Sequence, residues 1–596
     1  MFFKVMFLVL ILSVGTVLAE TLRLPPEPAK KIIQFGWDNP TPDFLEKNID
    51  LVEAHLPYDG IGIRMLGGTY DLDGAKFCTE GAMFGRTKFK AEWFEPHRQS
   101  LRNTKFKKLT HNFLRTSGPS FHGREFDLFD DAYWDASCHN FALFAAIAKD
   151  TGAKGLNFDL EDYGNNGIWQ YRPGCGHAWP QAYDQARARG RQFITAITNE
   201  YPDITLFVFF WLDLAFGAAD GMPLAFERLE GFRSGLLVGF VNGIYDALPP
   251  SALIVDGMEA HGYGSRNIDS LYRLRAQRET RFRRLVAPEN QRKLREQTAL
   301  AVATYLDSYI NQKPPYCFQA DMAKENMTAI EFFRRNLRLA VEFSDQYAWT
   351  WNEQRLWYPS TLPFGWQRKA LDKNPEVPGP LWSQALPGIE DAINYARAPH
   401  DFALQQFASG RCSGNLLLNS SFEAETKQAA VLGLAPDSVV LDKVPNWETW
   451  QPKHSKGSFR LAAGEGYDGR HAMQAVATNG GVIHQAVKIN PNSVYVVCAL
   501  AKTQAGAGAT CGIAWRNQKG VWCNQLRNFA VPFSEDLDKG WRRATIVVHD
   551  IPEKTAYLSV MLGMNSAGAP EQTVWFDEVE IHEILFKSEA QRPQED

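Results

Sequence analysis

The sequence predicts an α/β domain followed by an all-β domain: a (β/α)8 barrel of the TIM type, and then a β-sandwich of the jelly-roll type. Three observations lead to this prediction. The length of 596 residues is more than one hydrophobic core supports. From residue 31 to about 400, short apolar runs alternate with longer helical stretches, as in parallel strands joined by crossover helices. Beyond about residue 412, short alternating runs with Gly and Asn turns replace the helical periodicity.

The barrel prediction depends on eight strand candidates, the number that such a barrel needs. They are 31–37, 58–65, 107–113, 153–161, 204–213, 252–259, 299–307 and 346–353. Helical segments lie between them, among them 137–152, 181–202 and 231–250, whose apolar residues recur every three or four positions. We expect this domain to span residues 20–408. A doubly wound open sheet is the alternative, because a sequence does not show whether a sheet closes.

The all-β domain is expected over residues 409–586, with a polar tail over 587–596. Its candidate strands include 415–423, 471–477, 494–502, 510–515, 542–550, 556–564 and 573–584. Short strands with turn residues between them are typical of sandwiches and jelly rolls.

Residues 1–19 have the character of a secretory signal peptide: one Lys, an apolar run and a small-x-small ending. We therefore expect a secreted or periplasmic protein. An uncleaved membrane anchor is the alternative, although this apolar run is about 15 residues long against the roughly 20 that span a bilayer. No later run is long and apolar enough, so we expect no membrane span in the mature chain.

Composition and motifs exclude several classes of partner. The net charge of -5, without a Lys/Arg stripe, argues against nucleic acid. The 8 cysteines are too few to form a disulfide framework, and Cys511 and Cys523, which flank a predicted hairpin, are the best candidate pair. There is no CxxC or HExxH spacing, and the Gly clusters lack the context of a cofactor loop, so we expect neither metal nor cofactor. The oligomeric state is not readable.

The segment GLNFDLEDYG, residues 155–164, places three carboxylates directly after an apolar run. In a barrel, residues at the carboxyl ends of the strands face the active-site mouth. Asp159 and Glu161 are two residues apart, so on a strand they would point to the same side. Crowded carboxylates raise one another's pKa, which keeps one acid protonated near neutral pH. The pattern predicts Glu161 as a proton donor that Asp159 tunes.

Other acidic and aromatic residues at the predicted strand ends complete a candidate sugar site. As the catalytic partner of Glu161 we expect Glu259, with Glu353 in reserve. The predicted substrate-binding residues are Trp37, Asp38, Arg64, Asn112, Trp211, Asp213, Tyr263, Trp349 and Trp351. Aromatic faces stack on sugar rings, whereas carboxylates, Asn and Arg bond the sugar hydroxyls. Because the sequence has no nucleophilic Ser elbow, phosphate loop or dinucleotide fingerprint, these residues point to cleavage of a glycosidic bond.

The segment AKGLNFDLEDY resembles the fourth-strand signature of family 18 chitinases, D-x-x-D-x-D-x-E. The resemblance implies that Glu161 is the acid and that Asp159 orients the substrate. Lys154 and Asn157 stand where the signature has its first two aspartates. Pairing Glu161 with Glu259 resembles the α-galactosidase clan, which joins carboxylates from strands four and six. More generally, residues 30–400 resemble secreted (β/α)8 glycoside hydrolases.

The second domain begins with NLLLNSSFE and ends with VWFDEVEIHEI, which resemble the edges of CenC-type carbohydrate-binding jelly-roll modules. The resemblance implies a glycan-binding module. Its candidate stacking residues are Trp447, Trp450, Trp515 and Trp522, about half of which we expect to serve the core instead. Such a module raises the local concentration of an enzyme on a polymer.

The sequence therefore predicts a secreted glycoside hydrolase whose partner is a polysaccharide or an oligosaccharide. A non-catalytic polysaccharide-binding protein on a degenerate barrel is the main alternative, and a cell-surface adhesion protein is a third. The separation of the paired carboxyl groups decides the stereochemistry: about 5 to 5.5 Å implies retention and roughly 6.5 to 9.5 Å implies inversion. We expect retention, because no obvious insertion holds Glu161 and Glu259 apart.

Overall fold

The computed structural model describes residues 29–65, 69–72, 75–78, 80–119, 126–162, 167–220, 226–359, 380–423, 444, 446–455, 457–523, 526, 528–552, 554–566 and 571–587. The predicted signal peptide and residues 588–596 of the predicted tail lie outside these residues.

Before residue 353 the described chain forms a parallel sheet and one small hairpin. The strands are β1 (Lys31–Gly36), β2 (Gly60–Ile63), β3 (Thr69–Leu72), β4 (Ala75–Cys78), β5 (Phe113–Ser117), β6 (Gly155–Asp159), β7 (Thr205–Val208), β8 (Leu253–Asp256), β9 (Thr298–Leu300), β10 (Ala303–Tyr305) and β11 (Tyr347–Asn352). β3 and β4 pair with each other as an antiparallel hairpin. The remaining strands form one sheet in the order β10-β11-β1-β2-β5-β6-β7-β8-β9.

The parallel sheet closes into a barrel, because its two edge strands are halves of one stretch of chain. β9 pairs with β8, β10 pairs with β11, and only Ala301 and Val302 separate β9 from β10. The Ala301 N–H donates to Asp256 O at 2.8 Å and the Trp349 N–H donates to Val302 O at 3.2 Å, so the ladder continues through the gap. With β9 and β10 counted as one strand, the 9-stranded sheet is a barrel of eight. The predicted fold class is confirmed.

The connecting segments are largely helical. The helices are α1 (Pro42–His55), α2 (Glu95–Asn103), α3 (Asp131–Thr151), α4 (Trp179–Glu200), α5 (Phe216–Ala219), α6 (Phe226–Glu230), α7 (Gly235–Ala247), α8 (Glu259–Tyr263), α9 (Ile268–Leu285), α10 (Gln291–Glu296), α11 (Gln319–Glu325), α12 (Ala329–Phe343), α13 (Trp382–Ala385), α14 (Ile389–Arg397) and α15 (Pro399–Ala408). Local sequence sets the ends of α3: Asp130 accepts from the Tyr133 N–H, and Gly152 ends the helix in the left-handed region. Among the described helices, none has the length and apolar character needed to cross a bilayer.

Aromatic side chains fill the interior of the barrel. Phe35 of β1 lies edge-on to Phe207 of β7 and to Phe209, with 5.1 and 5.0 Å between ring centroids. Trp349 of β11 stacks on Phe209 at 4.3 Å. All four rings are buried. The interior is therefore a packed core, which leaves the loops at the carboxyl ends of the strands to form a site.

β6 begins at a glycine because the neighbouring strand passes too close for a side chain. Gly155 has a φ of 158°, and a Cβ there would lie 1.9 Å from Thr205 O of β7. Any other residue would force β6 and β7 apart. This close approach sets the register that carries Asp159 to the mouth of the barrel.

The C-terminal strands form two antiparallel sheets. They are β12 (Glu448–Trp450), β13 (Ser458–Ala463), β14 (His471–Val476), β15 (Gly481–Lys488), β16 (Tyr495–Gln504), β17 (Gly508–Arg516), β18 (Phe529–Pro532), β19 (Glu535–Asp536), β20 (Trp541–Val548), β21 (Tyr557–Asn565) and β22 (Thr573–Glu583). One sheet has the order β12-β15-β21-β17-β18 and the other β13-β14-β22-β16-β20-β19. Ile513 and Val560 of the first share a buried cluster with Val497 and Phe576 of the second. The predicted β-sandwich is confirmed.

The sandwich packs directly on helices that follow the barrel. Phe402 of α15 shares a buried apolar cluster with Val496 of β16 and stacks on Phe586 at 5.3 Å. Arg338 of α12 pairs with Asp550 at 3.2 Å. The junction is therefore a small shared core with a charged rim.

The third barrel strand lies at 113–117 and not at the predicted 107–113. The reason is a helix side chain: the backbone N–H groups of Lys107, Lys108 and Leu109 all donate to one carboxylate oxygen of Glu53 in α1, at 2.8, 2.8 and 3.1 Å. Donors that are used in this way are not available to a strand ladder.

Two predictions for the sandwich are also wrong. Residues 415–423 form turns and bends instead of a strand. The reason is that the side chain of Asn415, and not the backbone, bonds to β22. It donates to Val579 O and accepts from the Ile581 N–H, both at 3.0 Å. Cys511 and Cys523 carry free thiols. Cys523 pairs with Trp515, four residues along β17 from Cys511. That is roughly 13 Å at about 3.3 Å per residue, beyond the reach of a disulfide.

Candidate active site

Three of the predicted catalytic carboxylates lie at the carboxyl ends of nearby strands. β6 ends at Asp159 and is followed by Glu161, while Glu259 opens α8 shortly after the end of β8. In the sheet only β7 separates β6 from β8. The charges of Asp159 and Glu161 both act on the Glu259 carboxyl. The structure therefore brings the predicted pair and its neighbour into one cluster.

Contrary to the prediction, Asp159 and Glu161 do not share a strand face, because the chain turns at the end of β6. The Glu161 N–H donates to Asp159 Oδ1 at 2.9 Å, which closes the turn. The next residue, Asp162, accepts from the Gly167 N–H at 2.8 Å and from Arg233 at 2.6 Å. Asp159 thus holds the turn that presents Glu161, and Asp162 anchors the loop behind it.

The surroundings of Glu259 favour its neutral form. Burial raises the pKa of Glu259 well above its usual range, and the negative charges of Asp159 and Glu161 raise it further. An interaction with the Tyr263 side chain acts in the opposite direction and is a smaller effect. Burial and the two neighbouring carboxyl groups therefore both favour the neutral form of Glu259.

The fourth predicted catalytic residue, Glu353, follows β11 and is held from several directions. Trp351 Nε1 donates to Glu353 Oε1 at 3.1 Å, and the Tyr305 side chain interacts with the same carboxylate. The Glu353 N–H donates to Asp307 Oδ2 at 2.8 Å. Burial raises the pKa of Asp307 to about 7. Glu353 is thus a fixed acceptor at the mouth.

Asp38, a predicted substrate-binding residue, is buried beneath the mouth. Gln34 Nε2 and Asn352 Nδ2 each donate to its Oδ1 at 2.9 Å, and the Trp357 N–H donates to Oδ2 at 3.3 Å. Burial raises the pKa of Asp38 to about 6. These contacts tie β1 to the loop after β11, which makes Asp38 a support of the site.

Trp37 and Trp351 flank a buried arginine that the sequence analysis missed. The Arg115 guanidinium of β5 lies 5.8 Å from the Trp37 ring centroid and 5.2 Å from that of Trp351. Arg115 pairs with Glu80 at 3.4 Å, and Glu80 also pairs with Arg64 at 2.9 Å. A signal was present: a charged residue inside the apolar strand FLRTS requires a buried partner.

Two predicted sugar-stacking tryptophans belong to the core. Trp211 is fully buried and its Nε1 donates to the Tyr245 hydroxyl at 3.1 Å. Trp349 is fully buried and its Nε1 donates to Gly257 O at 2.9 Å. Both indole N–H groups are used inside the protein, and we leave both residues out of the site.

Asn112 and Asp213 have structural contacts. Asn112 precedes β5 at the amino end of the strands, away from the mouth, and its Oδ1 accepts from the Ile61 N–H at 3.1 Å. Asp213 accepts from the Trp211 N–H at 2.7 Å and lies 3.8 Å from His261 Nδ1. Asp213 also raises the pKa of Glu259, though less than Asp159 and Glu161 do.

Tyr263 belongs to a cluster of three tyrosines that includes the missed residue Tyr316. Ring centroids are 5.0 Å apart for Tyr263 and Tyr305, 5.1 Å for Tyr305 and Tyr316, and 6.0 Å for Tyr263 and Tyr316. Tyr316 is 45% exposed. It lies in a loop well beyond the end of β10, so no strand-end pattern in the sequence could point to it.

The four predicted tryptophans of the sandwich divide into two pairs. Trp447 and Trp515 lie in the core, each 4% exposed. Trp450 is 57% exposed on the edge strand β12. Trp522 is partly buried, with the Arg516 guanidinium 4.1 Å from its ring centroid. The expected division between core and surface is thus observed.

Arg516, Glu448 and His484 line a groove of about 240 Å³ on the five-stranded sheet. Trp522 packs against two of them, Arg516 and His484. Its polar side chains are paired across the strands: Arg516 Nη2 lies 3.5 Å from Glu448 Oε2 and 3.3 Å from His484 Nδ1. Burial is the largest influence on the pKa of His484 and lowers it, and the nearby Arg516 also lowers it. Glu448 acts in the opposite direction, but the net result is a lowered pKa. The groove therefore presents one cation, one anion and a neutral imidazole.

No group of three or more His, Cys, Asp or Glu side chains within the described ranges is placed to hold a metal ion.

The fold and the site define the class of protein: a (β/α)8 barrel with a carboxylate-lined mouth, joined to a β-sandwich. No family model matches the chain, and no curated protein matches it. Among solved structures, the enzymatically active domain of bacteriophage CBA120 tailspike protein 4 is 11% identical, with 28% of this chain and 21% of that chain covered and a TM-score of 0.21.

An arabinose-bound GH51 α-L-arabinofuranosidase is 12% identical, with 29% of this chain and 27% of that chain covered and a TM-score of 0.21. A family 16 carbohydrate-binding module is 13% identical, with 28% of this chain and 99% of that chain covered and a TM-score of 0.19. Glycoside hydrolase and carbohydrate-binding module chains are thus among the similar structures, at values too low to carry an argument about what this chain does.

Proposed function

We propose that the chain is a secreted glycoside hydrolase in which Glu259 donates the proton and Glu161 acts as the ionised carboxylate. One observation carries the proposal: burial and the charges of Asp159 and Glu161 raise the pKa of Glu259 at the carboxyl ends of barrel strands. An acid and a carboxylate on either side of a bond are what glycosidic cleavage requires.

In this mechanism Glu259 protonates the glycosidic oxygen as the bond to the anomeric carbon breaks. Glu161 stabilises the positive charge that develops on the sugar ring, either by attacking the carbon or by activating a water. Asp159 is a positioning residue, because its carboxylate accepts from the Glu161 N–H at 2.9 Å. The sequence analysis assigned the proton to Glu161. We assign it to Glu259, because Glu259 is the residue whose burial and neighbours favour the neutral form.

The test is release of reducing ends from a panel of polysaccharides by the full chain and by Glu259→Gln, which keeps the size of the side chain and removes the acid. We expect a loss of about 10²- to 10⁴-fold in turnover. Glu296→Gln is the matched control, since Glu296 is 60% exposed on α10. Near-normal turnover in Glu259→Gln would refute the assignment. Binding of a polysaccharide without release by the wild type would favour the non-catalytic alternative.

We also propose that the sandwich binds glycan in the groove lined by Arg516 and Glu448. The supporting observation is that donor and acceptor groups lie side by side there, because Arg516 and Glu448 are 3.5 Å apart. The exposed Trp450 lies on the same strand as Glu448. Such a pair can bond two adjacent sugar hydroxyls while an aromatic face covers the ring. Retardation of the full chain in gels that contain the polysaccharide tests this function separately from hydrolysis.

Secretion is part of the proposal, on the basis of residues 1–19. Sequencing the N-terminus of the mature protein tests it, with Glu20 expected as the first residue.

A further inference from the structure

Tyr316 lies where the catalytic carboxylates converge. Burial and the charges of Glu259, Glu161 and Glu353 raise the pKa of its phenol. Its ring is edge-on to Tyr305 and to Tyr263, 5.1 and 6.0 Å away between centroids. It is nevertheless 45% exposed, so the ring borders open space as well as the carboxylates.

Tyr316 differs from its two neighbours in what its hydroxyl does. The side chain of Tyr263 interacts with Glu259, and the side chain of Tyr305 interacts with Glu353. In the part of the chain that the structure describes, the Tyr316 hydroxyl makes no hydrogen bond. It remains a phenol near neutral pH, because the raised pKa disfavours the phenolate. It is therefore an available donor beside groups that are mainly acceptors.

The backbone holds Tyr316 in this place. Asn311 Nδ2 donates to Tyr316 O at 2.7 Å, and Gln354 Nε2 donates to Asn311 Oδ1 at 2.7 Å. The Gln354 N–H in turn donates to Asp307 Oδ1 at 3.0 Å. Tyr316 is thus tied to the loop that carries Glu353, and its exposure does not reflect a loose surface position.

We propose that Tyr316 is a substrate-binding residue, whose hydroxyl donates to an oxygen of the sugar at the reaction centre and whose ring covers one face of that sugar. This inference rests on the proposed hydrolase function and deepens it. A sugar in the mouth can donate its hydroxyls to the carboxylates, but its own oxygens need a donor that the protein does not already use. A ring edge-on to two other tyrosines presents a fixed apolar face.

The experiment compares Tyr316→Phe, which keeps the ring, with Tyr316→Ala, which removes it. For the substrate found in the polysaccharide panel, we expect kcat/KM to fall about tenfold in Tyr316→Phe and about a hundredfold in Tyr316→Ala. Tyr272→Phe is the matched control, because Tyr272 is 60% exposed on α9. Binding of neutral tetrasaccharides (cello-, xylo-, manno- and galacto-) in a Glu259→Gln background, measured by calorimetry, should show the same order without turnover.

The outcomes separate this inference from the function on which it rests. If the wild type neither hydrolyses nor binds any glycan at the barrel, both fall. If it does, and Tyr316→Phe equals the wild type in both assays, the donor role is overturned while the hydrolase function stands. Melting temperatures within a few degrees of the wild type would confirm that the variants are folded.

Discussion

The barrel mouth and the sandwich groove use charged side chains in opposite ways. At the mouth, Asp159, Glu161 and Glu259 are like groups crowded together, and burial and this crowding both raise the pKa of Glu259. In the groove, Glu448 and Arg516 are opposite charges that pair at 3.5 Å. Crowded like charges prepare a group for proton transfer, whereas a balanced pair suits reversible binding of hydroxyls. The comparison teaches that the two candidate sites differ in how their charges are arranged.

The largest expected effect is a loss of turnover at the barrel mouth with no change in binding at the sandwich groove. Glu161→Gln should lower turnover by about 10²- to 10⁴-fold, because it removes the negative charge that stabilises the transition state. Retardation in polysaccharide gels should not change. Glu279→Gln, at a 52% exposed position on α9, is the control. Loss of gel binding together with activity would mean that the chain has one glycan site and not two.

The second prediction concerns tryptophans that the sequence treated alike. Trp349→Ala should lower the free energy of unfolding by about 3–5 kcal/mol, because it leaves a cavity in the barrel core. Trp450→Ala should change it by less than about 0.5 kcal/mol, because that ring is 57% exposed. Urea unfolding of both variants measures the difference. Equal effects would contradict the separation of core from surface.

The third prediction is that the folded chain is more stable at pH 5 than at pH 8. Burial raises the pKa of Asp38 and Asp256 to about 6 and that of Asp307 to about 7. The folded state therefore keeps protons that the unfolded chain releases near pH 4, so stability is lost as pH rises from about 4 to 7. Between pH 5 and pH 8, each group accounts for a loss of about 1–3 kcal/mol, at 1.36 kcal/mol per pH unit below its folded pKa. In the sandwich, burial raises the pKa of Asp577 to about 7, which adds to the same trend.

Urea unfolding at the two pH values measures this slope. Asp307→Asn should flatten it, because it removes a barrel carboxyl whose pKa is raised to about 7. Stability that rises between pH 5 and pH 8 would show that other groups dominate.

The smallest expected effect concerns glycan binding at the sandwich groove. Arg516→Gln should weaken gel retardation about tenfold, because it removes a charged donor. Arg542→Gln is the control, since Arg542 is 58% exposed on the other sheet, where it pairs with Asp536. Unchanged retardation in Arg516→Gln would place glycan binding elsewhere on the sandwich.

Local sequence was sufficient for the parts of the fold that depend on apolar runs. The strands β6 and β11 lie where the runs predicted them, because both faces of a barrel strand are covered and the run is continuous. Local sequence wrongly predicted a strand at 107–113. There, the carboxylate of Glu53 in α1 accepts hydrogen bonds from three backbone N–H groups. That contact joins residues more than fifty positions apart, and no local pattern contains it.

For the site, the sequence located the carboxylates but not their roles. Asp159, Glu161 and Glu259 could be selected because they follow apolar runs. Arg115 was overlooked inside a strand, and Tyr316 was overlooked in a loop without periodicity. Both matter only through neighbours that folding supplies: Trp37 and Trp351 for the first, and the carboxylates for the second.

The sequence by itself determined the order of domains, the barrel and sandwich classes, and the acidic strand ends, because these follow from periodicity and from residue type. Only the tertiary structure decided that the pKa of Glu259 is raised, because a pKa depends on burial and on charges brought close from other strands. It likewise decided that Trp349 fills the core while Trp450 meets solvent, since a tryptophan in a strand looks the same in either place until the opposite layer is known.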